Sequence, residues 1–194
     1  SREYHLGALE RFEAADWPMG IAGASVNLGA VWAKIGEQAE LEGNTKQATL
    51  ANERLRDTNL RALEIFQELG NKRGIAYASN NIATALERLN DPTTALQYHQ
   101  DALDLRREIG DRFGEIQSYI TMASSYIRLG DADQAERMLD EADAILPEDN
   151  LSQALGLAEQ RVLLAESRED FSAALDYQKE VTSLRSAMAD EESR

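Results

Sequence analysis

Cysteine is absent from the chain, which excludes disulfide staples, thiolate metal sites and cysteine nucleophiles. Histidine occurs only as His5 and His99, and His99 falls at a helix packing position, where it reads as a structural imidazole rather than a ligand or base. Proline is confined to Pro18, Pro92 and Pro147, all where helices would begin or end. No apolar run reaches the roughly 18 residues of a membrane-spanning helix. Val, Ile and Thr are sparse beside Ala, Leu, Glu, Gln and Arg, a usage that favours helices and leaves little material for strands. Gly20, Gly23 and Gly29 lie inside a helical pattern and do not follow a strand, so they form no phosphate-binding loop. Carboxylates such as Glu136, Asp140, Glu141 and Asp143 are many, but no pair is set in an apolar cleft. The expectation is a chain with no catalytic residues, no metal ligands and no cofactor. Trp17 and Trp32 read as core residues.

Basic residues are in deficit: 20 Lys and Arg stand against 35 Asp and Glu, a net charge of −15. Such a surface repels phosphate backbones, because nucleic-acid affinity depends on Lys and Arg releasing counterions. Nucleic acid and anionic membrane surfaces are therefore set aside as partners. Two readings of the charge stay open: it keeps the chain dissolved, or it attracts a basic partner.

What is present is repetition. Ala62-Leu63-Glu64-Ile65-Phe66-Gln67-Glu68-Leu69-Gly70 is echoed 40 residues later by Ala102-Leu103-Asp104-Leu105-Arg106-Arg107-Glu108-Ile109-Gly110. Each copy is followed by a polar turn, Asn71-Lys72-Arg73-Gly74 and Asp111-Arg112-Phe113-Gly114, and Leu129-Gly130-Asp131 follows Leu89-Asn90-Asp91 at the same spacing. Within a unit the apolar residues Ile75, Ala76, Ile82, Ala83, Leu86 and Leu89 keep a helical period. Asp91-Pro92 then stops one helix and starts the next. Asn44…Gln47, Asp131…Gln134 and Asn150…Gln153 have the look of capping boxes. A helix pair of this kind buries its apolar face only against a stacked neighbour.

These units resemble tetratricopeptide repeats (TPRs). The small-then-aromatic pattern of the first helix is met by Gly29 with Trp32 and by Ala123 with Tyr126; the small residues of the second helix are met by Ala95 with Ala102 and by Ala135 with Ala142, before Pro147. The period of about 40 is similar to that of the longer TPR class found in Pins-type adaptors and bacterial signalling regulators. The match is weakest over 150–190, where Val162 and Ala165 replace the markers. The resemblance implies an all-α, right-handed superhelical solenoid of antiparallel pairs with about nine helices. Its expected parts are a half repeat (1–15), a repeat with a lengthened hairpin (16–70), two regular repeats (71–110 and 111–149), and a degenerate repeat with an exit helix (150–194). A start on half a repeat suggests that the array continues upstream. The helices are expected at 3–13, 17–42 with 45–69, 72–89 with 92–109, 112–129 with 132–145, and 150–167 with 170–190.

The first full pair is too long: Gly20 and Gly74 are 54 residues apart, whereas Gly74 and Gly114 are 40 apart. An insertion of two heptads around Gly36–Asp57 would lengthen both helices by close to two turns and make them project roughly 10 Å. It reads either as a neutral extension or as a docking knob.

The resemblance also places a groove, since first helices line the concave face in that family. On that pattern Asn27 and Lys34 come from the first full repeat and Tyr77, Asn80, Asn81, Thr84 and Arg88 from the second. Gln117, Ile120, Ser124 and Arg128 come from the third. Asparagines suit the amides of an extended peptide, or they bond between helices. Lys34, Arg88 and Arg128 recur at one repeat position, to receive ligand carboxylates or to pair with neighbouring acids. A non-catalytic scaffold holding a protein or peptide follows, with no membrane insertion, a cytoplasmic location, and room for self-association through the terminal helices or the hairpin. The alternative is an input domain of a larger bacterial signalling protein. There the last helix, with Val181, Leu184 and Met188 at helical spacing, would carry a change of curvature to an output domain.

Overall fold

The computed structural model describes residues 2–147 and 149–192. The expected ranges that take in Ser1, Glu148, Ser193 and Arg194 reach outside the described residues at those positions. Among the described residues there is no strand, and the helices are α1 (Arg2–Ala14), α2 (Pro18–Leu41), α3 (Thr45–Glu68), α4 (Lys72–Arg88), α5 (Pro92–Glu108), α6 (Arg112–Leu129), α7 (Ala132–Ile145), α8 (Leu151–Ser167) and α9 (Phe171–Glu192). The expected boundaries agree with these to within two residues.

One chemical device sets most of the starts. Asn44, Asn71, Asp91, Asp111, Asp131 and Asn150 each accept a hydrogen bond from the backbone N–H three residues on. Asp170 does the same for Ala173, at 3.0 Å. Such a cap satisfies a donor that the helix leaves free and is worth about 1 kcal/mol. Although α7 stops on the extended Leu146, most of the ends are set by residues in the left-handed conformation. Gly130 is one, with φ 77°, and Asn90, forty residues earlier, takes the same conformation at φ 64°. Asparagine is the side chain that replaces glycine there with least strain.

The chain forms two compact units, Ser1–Gly110 and Asp111–Arg194. In the first, α2 pairs with α3 and α4 with α5, while α1 packs on α2 and α3 on α4. Its core is built around Ala22, Ala62, Phe66, Ala78, Ile82, Ala83, Leu86 and Ala95. Alanines at 0% exposure, such as Ala22, Ala62 and Ala95, let the helix axes approach, and burying a side chain such as Ile82 contributes about 1.5–3 kcal/mol.

The lengthened hairpin is present: α2 and α3 have 24 residues each, against 17 each in α4 and α5. Its extra turns are closed by a repeated contact. A Cβ on Gly29 would overlap Asn59 Nδ2, and a Cβ on Gly36 would stand 3.0 Å from Asn52 Oδ1. The glycines are seven residues apart in α2 and the asparagines seven apart in α3. Seven residues is close to two turns, so both contacts fall on one stripe. One further step of seven leads to Ala22 and Phe66, both in the core. The inserted heptads thus continue the packing seam.

Trp17 corrects an expectation. It is 52% exposed, lying edge-on to Phe12 with ring centroids 5.0 Å apart, and it covers Gly20. It closes the α1–α2 corner from outside, whereas Trp32 is half-buried. His99 is fully buried, with Nε2 3.5 Å from a Glu87 oxygen, as a structural imidazole.

In the second unit α6 pairs with α7 and α8 with α9, and α8 also lies against α6 and α7. Ala158, Val162 and Val181 form a core cluster joined by Leu155, Tyr177 and Leu184. The apolar stripe of α9 is therefore used, at Val181 and Leu184, to close on α8. Gln153 Nε2 donates to the Phe113 carbonyl at 2.8 Å, tying the start of α8 to the start of α6. Two arginines on α8 or just beyond its end hold α7. Arg161 lies 2.8 Å from Asp143 and stands over the Tyr177 ring, while Arg168 lies 2.9 Å from Glu136 and 3.4 Å from Asp133. Burial acts to lower the Arg161 pKa, but the Asp143 hydrogen bond and nearby negative charge outweigh it and hold the pKa above its ordinary value. The hydrogen bond from Arg168 holds the Glu136 carboxyl below its ordinary value and raises Arg168 in turn. No helix among the described residues is long and apolar enough to cross a membrane.

Candidate partner-binding groove

In the first unit α2 and α4 run side by side, with α3 behind them. Between their N-terminal halves lies a cavity of about 510 Å³, lined by Met19, Gly23, Val26 and Asn27 of α2 and by Asn71, Arg73, Gly74 and Tyr77 at the start of α4, with Phe66 of α3. Local sequence explains its shape. Gly74 has no side chain because the Phe66 ring occupies the place of its Cβ. Asn71 is committed: its Oδ1 caps α4 through the Gly74 N–H at 3.0 Å, and its Nδ2 points to Met19 Sδ at 3.7 Å. Met19 and Tyr77 remain 41% and 52% exposed. The side chains of Asn27 and Arg73 are exposed and make no hydrogen bond or ion pair among the described residues. The lining therefore offers apolar surface, one carboxamide and one cation, without a carboxylate.

Of the groove residues expected from sequence, Asn27 and Tyr77 share this cavity, whereas Lys34, Asn80, Asn81, Thr84 and Arg88 do not line it. Asn81 is engaged between helices, with Nδ2 donating to Asn59 Oδ1 at 3.0 Å. Thr84 Oγ1 donates to the Asn80 carbonyl of its own helix at 3.1 Å. Asn80 is half-buried and its Oδ1 is enclosed without a donor. Arg88 turns to α2, donating to Glu37 at 2.7 Å and to the Ala33 carbonyl at 3.3 Å, so its charge is already neutralised. Lys34 is exposed, with no ion pair among the described residues.

In the second unit Gln117 and Ser124 are half-buried and Arg128 is exposed. Ile120 does not face open surface: it is 5% exposed, and its side chain lies 3.9 Å from where a Gly156 Cβ would be. Helix α8 lies against α6 and covers Ile120, and a Cβ at 156 would meet it at ordinary van der Waals distance.

Sequence reasoning missed Met19, Phe66 and Arg73. Arg73 sits in the Asn71-Lys72-Arg73-Gly74 turn, where the helix start was legible but not that its first turn faces Met19. No cluster of three or more Asp, Glu or His able to hold a metal occurs among the described residues.

A family model for the tetratricopeptide repeat matches residues 53–108 and 74–148, from the middle of α3 to the end of the third pair. The chain belongs to the TPR class. No curated protein matches the sequence significantly. Among solved structures, the fold is similar to BtubC (BKLC) from P. vanneervenii, with a TM-score of 0.63 at 16% identity over 97% of this chain and 91% of that one. Apo RapI gives 0.59 at 13% identity, covering 98% of this chain and 72% of that one. The nearly identical TPR-like repeats of a Podosopora anserina protein described as a kinesin light chain give 0.56 at 11%, over 97% and 96%. At these identities the likeness is one of fold. TPRs are scaffolds for protein–protein interaction, and this chain carries that scaffold. In TPR order α2, α4, α6 and α8 are first helices, so the cavity from Met19 to Tyr77 lies between the first helices of two successive repeats.

Proposed function

We propose that the first unit holds a peptide segment of a partner protein in the groove between α2 and α4. The observation that carries this reading is the set of free groups in one cavity: open Met19 and Tyr77 beside uncommitted Asn27 and Arg73. An apolar ligand side chain seats against Met19, Val26 and Tyr77, and its burial supplies most of the affinity. Asn27 pairs with a ligand amide, and Arg73 takes a carboxylate or carbonyl oxygen. Asn81 and Arg88, tied to Asn59 and Glu37, shape the frame rather than touch the ligand. The alternative is an input domain acting through α9, which closes on α8 through Val181 and Leu184, as the second helix of a pair does.

Peptides selected from a random library on the full chain provide the test, with affinities measured by fluorescence anisotropy. Tyr77→Ala and Arg73→Ala should each weaken a selected peptide about tenfold, and Lys34→Ala should leave it unchanged. Selected peptides that are indifferent to both Tyr77→Ala and Arg73→Ala would sink the proposal.

A further inference from the structure

The same unit carries a second groove on the opposite side of α4. Helices α3 and α5 both pack on α4 but not on each other, and the gap between them is a cavity of about 430 Å³. Its apolar surface comes from Leu63 of α3, Ile75 of α4, and Tyr98 and Leu105 of α5. Ile75, Tyr98 and Leu105 are only half-buried. Asp101 and Asp104 stand on the α5 rim, both exposed, and no Lys, Arg or His lines the cavity. Asp104 accepts a hydrogen bond from the neutral Gln100 at 2.9 Å, which leaves its charge in place. Two residues along a helix turn through about 200°, so Ile75 and Tyr77 face opposite ways.

The geometry points to a docking site for a basic segment of a second protein, one that presents an apolar side chain flanked by Lys or Arg. The apolar floor accepts the side chain, and two carboxylates on one rim meet the flanking cations. Charge decides the class of occupant. A second copy of this chain brings a net charge of −15 and is repelled, as are nucleic acid and anionic lipid. The α2–α4 groove has the opposite preference, since Arg73 lines it and no carboxylate does. The two faces therefore select different partners, and this inference stands independently of the peptide-groove reading.

The probe is acetyl-Lys-Lys-Leu-Lys-Lys-amide, titrated into the 15N-labelled full chain and followed by amide shifts. The expected result is saturable shifts confined to α3, α5 and the Ile75–Ser79 stretch of α4. Replacing the peptide's Leu by Gly should weaken binding at least about fivefold, as should the Asp101→Asn, Asp104→Asn double variant. Both aspartates are exposed, so the variant keeps its fold, and its circular dichroism spectrum verifies that. Tyr77→Ala should change nothing. Equal binding of the Leu and Gly peptides would reduce the effect to diffuse charge attraction and overturn the inference. So would indifference to the two Asn substitutions. Weakening by Tyr77→Ala would place the peptide in the α2–α4 groove, overturning this inference while leaving the other intact.

Discussion

Asn59 stands over Gly29 so closely that its Nδ2 occupies the space of a Cβ at position 29, and Asn59 itself is 0% exposed. The amide is held by two bonds: Nδ2 donates to the Leu55 carbonyl at 2.9 Å, and Oδ1 accepts from Asn81 at 3.0 Å. A glycine in α2, an asparagine in α3 and an asparagine in α4 thus lock the first helices of two repeats to the second helix between them.

Gly29→Ala tests the close approach. In an open helix the change favours folding by about 1 kcal/mol, but overpacking a buried contact costs about 1–3 kcal/mol. Asn59 Nδ2 and Thr58 Oγ1 crowd the new methyl, so urea unfolding should show a net loss of about 1–2 kcal/mol. Gly23→Ala, in the same helix with nothing within 4 Å, should raise stability by about 0.5–1 kcal/mol. If both shift the same way, the clash does not govern the site.

Asn81→Ala removes the donor that serves the Asn59 Oδ1. An acceptor left buried costs about 1–3 kcal/mol. A double-mutant cycle with Asn59→Ala, read from denaturant midpoints, should give a coupling of about 1 kcal/mol. Asn80→Ala should cost less than Asn81→Ala, because the Asn80 Oδ1 has no donor to lose.

The Arg88–Glu37 pair is partly exposed, at 23% and 54% of the two side chains. A cycle between Arg88→Ala and Glu37→Gln should yield under about 1 kcal/mol, shrinking as salt is added. Arg88→Ala should also lower peptide affinity less than Tyr77→Ala, since its guanidinium is already occupied. A larger affinity loss at Arg88 would revive the basic ladder read from Lys34, Arg88 and Arg128.

Acid should act on the second unit through Glu136. Its folded pKa lies below the ordinary value of 4.5 because of the Arg168 hydrogen bond. The pair therefore contributes above that ordinary value and is lost as pH falls through the lower folded one. Glu136→Gln should be slightly less stable than the parent at neutral pH, and the two should converge in acid. The difference is small because the pair is exposed to solvent. Thermal midpoints across the acid range measure it, and a constant gap at every pH would contradict the assignment.

The helical layout was legible because its determinants are local. A cap such as Asp91 or Asn150, a glycine or asparagine stop such as Gly130 or Asn90, and a 40-residue echo act within a few residues of chain. The two inserted heptads were legible too, because an insertion of whole turns leaves the helical period unbroken. The repeat pattern also marked Asn27 and Tyr77 as groove residues. It placed Asn81, Arg88 and Ile120 there as well, and their neighbours in space used them otherwise: Asn59 bonds Asn81, Glu37 neutralises Arg88, and α8 packs over Ile120. Trp17 reads as core from its place at a helix entry, yet the α1–α2 corner leaves half of it outside. The sequence by itself determined where each helix begins and ends, that successive helices pair, and that the surface is acidic. Only the tertiary structure decided which polar groups are already satisfied, that Phe66 fills the place of a side chain at Gly74, and that α4 presents a basic groove on one side and an acidic one on the other. Hydrogen bonding and charge pairing are settled by distances between helices far apart in the chain, and a local pattern carries no measure of those distances.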